Sequence, residues 1–136
     1  MLVCVTGGTG FIGRRLVRGL LADGVQVRVL ARPASVVHEL ESLGAEIIRG
    51  DLSDLESITE AVDGAEVVYH LAARVDTFGS LKYFTQTNVA GTQNVFRACI
   101  RKEVPHVVYL SSIAVFGEAK RGKSIGTAAR GDRANC

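Results

Sequence analysis

Val5-Thr6-Gly7-Gly8-Thr9-Gly10-Phe11-Ile12-Gly13 closes an apolar run that begins at Leu2, and its reading decides the fold. A buried strand running into three glycines spaced three apart, Gly7, Gly10 and Gly13, is the phosphate-binding turn of a dinucleotide-binding α/β fold. One glycine makes the tight turn, one lets backbone approach a pyrophosphate, and one lets the following helix pack close to its strand. The unpaired N–H groups and positive dipole end of that helix then face the phosphates. Gly-rich turns also occur in loops by chance, so the surroundings matter. Here a strand precedes, an amphipathic helix follows, and a second apolar strand lies at 25–31.

Outward from the turn, strands and helices alternate. Leu2–Thr6 is the first strand. Residues 13–22 form a helix with Leu16, Val17, Leu20 and Leu21 on one face and Arg14, Arg15 and Arg18 on the other, ended by Asp23-Gly24. A strand at 25–31, a short helix around 35–43 and a strand at 45–49 come next. Leu55–Val62 is helical, capped by Ser53 or Asp54. The nearly continuous apolar run 66–72 suits a strand covered on both faces. A long helix spans 81–102, and after Pro105 residues 107–111 form a fifth strand. Alternation at this spacing predicts right-handed βαβ units and a doubly wound parallel sheet of about five strands.

The chain has 136 residues, enough for one domain with a real core. A net charge of +2, with Lys and Arg spread along the chain, points to no nucleic-acid partner. Cys4, Cys99 and Cys136 are far apart and in no metal-ligand spacing, so no metal site is expected; Cys4 and Cys99 read as core filler. No basic-then-apolar leader precedes Leu2, and the apolar stretches fall well short of the ~20 residues that span a bilayer. A cytoplasmic protein with no membrane partner is the expectation. From 118 to 136 the apolar periodicity stops, with five basic and two acidic residues and Ile125 as the lone sizeable aliphatic. That division predicts a domain at 1–117 and a disordered or aberrant tail at 118–136.

The strand ends carry the chemistry. A fold selecting NAD usually places an acid at the end of the second strand, about twenty residues past the glycines, to hold the ribose 2′-OH. Here that place reads Ala31-Arg32-Pro33. The Arg32 guanidinium suits a 2′-phosphate, which favours NADP over NAD; the other reading is a solvated arginine before a loop. At the end of the third strand, Asp51 can accept from the adenine amino group while Leu52 packs on the ring, or Asp51 merely starts the next helix. After the fourth strand, Leu71, Ala72 and Ala73 leave room for the cofactor's ribose and nicotinamide. His70 reads as a satisfied core histidine. Asn88, flanked by small residues mid-helix, suggests close packing under the active site rather than catalysis, and is counted with the cofactor-binding residues. Ser111-Ser112 ends the fifth strand at the sheet edge where ligands bind, either as a substrate contact or as a helix cap.

Together these segments resemble the extended short-chain dehydrogenase/reductase family, also called the NAD-dependent epimerase/dehydratase family. Thr6-Gly7-Gly8-Thr9-Gly10-Phe11-Ile12-Gly13 matches its TGxxGxxG turn, which implies cofactor contacts from Phe11 and Ile12 as well as the glycines. Gly50-Asp51-Leu52, His70-Leu71-Ala72-Ala73, Asn88-Val89-Ala90-Gly91-Thr92 and Ser111-Ser112-Ile113-Ala114-Val115-Phe116-Gly117 fall in the family's order and spacing. Arg74-Val75-Asp76-Thr77-Phe78-Gly79 with Val104-Pro105 looks most like the 3β-hydroxysteroid dehydrogenase branch. Sugar-nucleotide epimerases and dihydroflavonol-reductase-like enzymes are close competitors.

The resemblance implies a Rossmann-type fold and an NAD(P)-dependent oxidoreductase or epimerase. Its substrate would be a steroid-like, flavonoid-like or nucleotide-sugar small molecule, with Ser112 orienting the substrate oxygen, and a homodimer is implied through the 81–102 helix. The family's acid/base pair, Tyr-x-x-x-Lys, is missing. Tyr69 is followed four residues on by Ala73, Tyr83 by Thr87 and Tyr109 by Ile113. The expectation is therefore a truncated cofactor-binding portion, inactive alone; a non-catalytic sensor or scaffold that binds dinucleotide is the alternative.

Overall fold

Buried valines at alternate positions of Leu2–Thr6 (β1) and Gln26–Ala31 (β2) set up a sheet covered on both faces. Glu46–Arg49 (β3), Val67–His70 (β4) and His106–Tyr109 (β5) complete it. All four pairings are parallel, in the order β3-β2-β1-β4-β5, so each strand needs a helical crossover. These are Phe11–Ala22 (α1), His38–Ser42 (α2), Leu55–Val62 (α3), and a stretch made of Leu81–Phe84 (α4), a wide π-type segment Thr85–Gly91, and Thr92–Arg101 (α5). The computed structural model describes residues 1–75 and 81–112. The boundary at 117, the tail at 118–136 and the motif residues 76–79 and 113–117 lie outside the described residues.

Alternation in the strands sorts the core into two layers. Val3, Val5, Val27 and Val29 face Val17 of α1 and Leu40 of α2. Cys4, Leu30 and Val68 face Ile58 of α3 and Val95 and Cys99 of α5. The chain works outward from β1 to β3, then returns across the sheet to place β4 beside β1. That reversal is the doubly wound Rossmann arrangement, and it leaves a crevice at the carboxyl ends of β1 and β4.

Boundaries differ from the sequence reading where neighbours decide them. Helix α1 begins at Phe11 rather than residue 13, because Gly10, extended at φ −80° and ψ 177°, is its N-cap and accepts from Arg14 N–H at 2.9 Å. Helix α2 starts only at His38, since residues 32–35 are held as a turned loop. Strand β4 stops at His70 instead of 72 because its neighbour β1 ends at Thr6 in the glycine turn. Strand β5 covers 106–109 rather than 107–111, its last ladder bond running from Leu110 N–H to the His70 carbonyl at 3.1 Å. Asp54, not Ser53, caps α3, accepting from Glu56 N–H at 3.1 Å. At the other end of α3, Arg28 Nη1 gathers the carbonyls of Glu60, Ala61 and Asp63 while its Nε pairs with Glu46.

Candidate functional site

The glycine turn is built around contacts no side chain can share. Gly7 has φ +74°, and a Cβ on it would stand 2.6 Å from Ala72 N. A Cβ on Gly13 would overlap the Gly7 carbonyl and stand 2.6 Å from Gly8 Cα. So Gly7 lets the turn cross the end of β4, and Gly13 seats α1 against the turn. The first turn of α1 has no side-chain cap and no acid. Helix α3 shows the opposite: Asp54 caps it and Glu56 lies in its first turn. The N-terminus of α1 thus keeps its N–H groups and positive dipole end uncompensated, as an anion site requires.

That helix end opens on a cleft of about 370 Å³ at the carboxyl ends of β1 to β4. Gly7, Gly10, Arg32, Asp51, Leu52, Leu71, Ala72 and Ala73 all line it, as do Thr6, Thr9, Ser35, Gly50, Arg74, Val75 and Thr87. Arg32 is exposed, and its guanidinium has no ion pair among the described residues. Asp51 Oδ1 accepts from the N–H and hydroxyl of Ser53 at 3.0 and 2.8 Å. It therefore shapes the turn before α3 rather than capping the helix, with Oδ2 left over. Leu52 is nearly buried with Ile58 and Val95, so most of its side chain belongs to the core.

The remaining predicted residues stand elsewhere. Phe11 and Ile12 are exposed on the first turn of α1, the Phe11 ring lying under the Arg15 guanidinium at 3.9 Å; neither side chain reaches the cleft wall. Asn88 lies in the π-type segment and bonds the backbone of Arg74, where the cleft wall continues past Ala73. Ser112 follows β5 on the same sheet edge, exposed and outside the cleft wall.

Beneath the cleft, His70 is fully buried. Its Nδ1 lies 2.6 Å from Thr6 Oγ1 and its Nε2 lies 2.9 Å from Thr92 Oγ1, with the Tyr109 ring stacked at 5.4 Å. Burial pushes its pKa down to about 4, so the ring is neutral and ties β1, β4 and α5 together.

Sequence reasoning missed Ser35, Thr87 and the work of Arg49, which bonds three carbonyls of the loop after β2. No local pattern marks any of them. Among the described residues no group of His, Cys, Asp and Glu could hold a metal ion, and no helix is long and apolar enough to cross a membrane.

The chain is 42% identical over 115 residues to a 2-alkyl-3-oxoalkanoate reductase of Stenotrophomonas maltophilia, covering 85% of this chain and 34% of that protein. It is 36% identical over 130 residues to the mouse (Mus musculus) 3 beta-hydroxysteroid dehydrogenase type 7, covering 90% and 35%. Among solved structures, the Thermus thermophilus UDP-glucose 4-epimerase in complex with NAD superposes with a TM-score of 0.82 at 31% identity, covering 97% of this chain and 44% of that one. The chain thus spans about a third of the length of these curated relatives. The pattern of the 3-beta hydroxysteroid dehydrogenase/isomerase family matches residues 4–134, and the chain belongs to that family.

Proposed function

We propose that this member of the 3-beta hydroxysteroid dehydrogenase/isomerase family supplies the cofactor-binding part of an NAD(P)-dependent oxidoreductase or epimerase, with NADP(H) preferred. The substrate would be a steroid-like, flavonoid-like or nucleotide-sugar molecule carrying a hydroxyl or carbonyl. One observation carries the reading: the uncapped N-terminus of α1, Asp51, and Arg32, which has no ion pair among the described residues, all open on one cleft. The named reductase and dehydrogenase relatives, and the neighbour solved with NAD, support it.

When bound, the dinucleotide would supply hydride transfer at its nicotinamide. The N–H groups of the first turn of α1 hold the pyrophosphate. Arg32 takes the 2′-phosphate and Asp51 Oδ2 the adenine amino group. Ala72 and Ala73 leave room for ribose and nicotinamide. Ser112 hydrogen-bonds the substrate oxygen. These 136 residues hold no Tyr-x-x-x-Lys pair, so turnover by them alone lacks the roughly 10²- to 10⁴-fold that general acid–base catalysis contributes. The helical stretch from α4 to α5 exposes Leu81, Tyr83 and Ile100, which suits a dimer contact.

The test is calorimetric titration of the chain with NADPH and with NADH, repeated on Arg32→Ala. Tighter NADPH binding that Arg32→Ala abolishes bears the reading out. Equal or tighter NADH binding overturns the Arg32 role, and binding of neither overturns the cofactor site.

A further inference from the structure

Arg49 ends β3, and its side chain reaches back over the loop that follows β2. Its Nη1 donates to the carbonyls of Arg32, Pro33 and Ser35 at 3.2, 3.3 and 2.9 Å. The Ser35 N–H donates in turn to the Arg32 carbonyl at 2.9 Å. Three carbonyls gathered on one guanidinium fix the course of residues 32–35, and both Arg32 and Ser35 line the cleft. Arg14, Arg18 and Arg28 are each paired with a glutamate. Among the described residues, Arg32 and Arg49 have no acidic partner, so this loop gathers two unneutralised positive charges.

An exposed strap of this kind is a poor stabiliser of the fold. Its bonds replace bonds to water, and holding a long side chain in one rotamer is entropically unfavourable. It is a good way to preorganise a loop, because ordering done before binding is not charged against affinity.

Resting on the reading of Arg32 above, we propose that Arg49 is a positioning residue for a ribose 2′-phosphate. It holds loop 32–35 so that Arg32 and Ser35 stay on the cleft, and it acts through that loop rather than by touching the phosphate. The effect is confined to ligands that carry the 2′-phosphate. The pyrophosphate site at α1 lies on another element, and Asp51, although it follows Arg49 closely, takes its bonds from Ser53 rather than from loop 32–35.

The probes are 2′,5′-ADP and 5′-AMP, which differ by the 2′-phosphate, titrated calorimetrically into the full chain and its variants. Arg49→Ala is expected to weaken 2′,5′-ADP by on the order of tenfold, the effect of one charge-assisted bond, and to leave 5′-AMP within about twofold. Arg49→Lys, whose ammonium can bond the same carbonyls, restores most of the loss. In an Arg32→Ala background, Arg49→Ala causes no further loss. Equal weakening of both ligands overturns the proposal by showing a general fold defect. Full additivity with Arg32→Ala overturns it by showing direct contact. If Arg32→Ala abolishes discrimination but Arg49→Ala does not, this inference alone fails. If the wild-type chain never discriminates, the Arg32 reading fails with it.

Discussion

Asn88 takes both backbone polar groups of Arg74: its Oδ1 accepts from the Arg74 N–H at 2.7 Å, and its Nδ2 donates to the Arg74 carbonyl at 3.0 Å. A primary amide can accept and donate side by side, which is what a strand residue beyond the end of its ladder needs. Strand β4 stops at His70, and its contact with β1 ends where the Leu71 N–H meets the Thr6 carbonyl at 3.1 Å, so the cleft wall beyond takes a backbone partner from another element. The π-type segment Thr85–Gly91 supplies one. Such wide turns recur at functional sites.

Asn88→Asp replaces the donor with a second acceptor facing the Arg74 carbonyl, and Asn88→Ala removes both bonds. Each bond contributes about 0.5–1.5 kcal/mol net. NADH and NADPH affinity should fall together by roughly three- to tenfold in either variant, with a lowered melting temperature. Calorimetry on both cofactors checks it. A loss confined to one cofactor would contradict a loop-holding role.

Two glycines make opposite predictions. Gly7→Ala places a methyl 2.6 Å from Ala72 N at φ +74°, and backbone cannot rotate aside. Strain and overpacking together should destabilise the chain by about 2–4 kcal/mol and abolish cofactor binding. Gly19, inside α1, has open space within 4 Å of where a Cβ would stand. Gly19→Ala should stabilise by up to about 1 kcal/mol. Urea denaturation of the two variants reads the difference directly.

Cys4 and Cys99 should be silent toward thiol reagents in the folded chain. Burial pushes Cys4 up to about 12 and Cys99 up to about 11, from an ordinary 9.0. Their thiolate fractions near neutral pH are therefore about a thousandfold and a hundredfold lower than for a free thiol. In a Cys136→Ser chain, a disulfide reagent should titrate almost no thiol until urea is added, and two afterward. Fast labelling without urea would contradict the burial of these side chains.

What the sequence made legible was local. The glycine spacing, the alternating valines of β1 and β2, and the residues just past each strand could all be read because a parallel sheet brings its carboxyl ends to one edge. Gly7, Gly10, Arg32, Asp51, Leu71, Ala72 and Ala73 accordingly meet in the cleft. What escaped was pairing at a distance. Arg49 bonds carbonyls 14 to 17 residues back, Asn88 reaches back 14, and Thr6 meets His70 across 64. No period or propensity encodes such bonds. Yet they shorten α2, aim the wall beyond Ala73 and tie the turn to the core. Element ends moved for the same reason, since the last ladder bond of a strand depends on where its neighbour stops.

The pairing of His70 with Thr6 also makes a pH prediction. Both ring nitrogens have a hydroxyl partner, and a neutral ring satisfies them when Thr6 donates to Nδ1 and Nε2–H donates to Thr92. A second ring proton would face Thr6 in a site closed to water. Folding therefore lowers the pKa from its ordinary 6.5 to about 4. Between those values the unfolded chain binds a proton that the folded chain refuses, so stability is full above about pH 6.5 and falls as pH drops toward 4. The whole effect is up to about 3 kcal/mol. His70→Gln cannot titrate, and its stability should change with pH by about one proton less over this range. Urea denaturation of both chains at pH 7, 6, 5 and 4.5 isolates the histidine, because the carboxylates titrate in each. Parallel curves would mean that His70 takes up its proton as readily folded as unfolded.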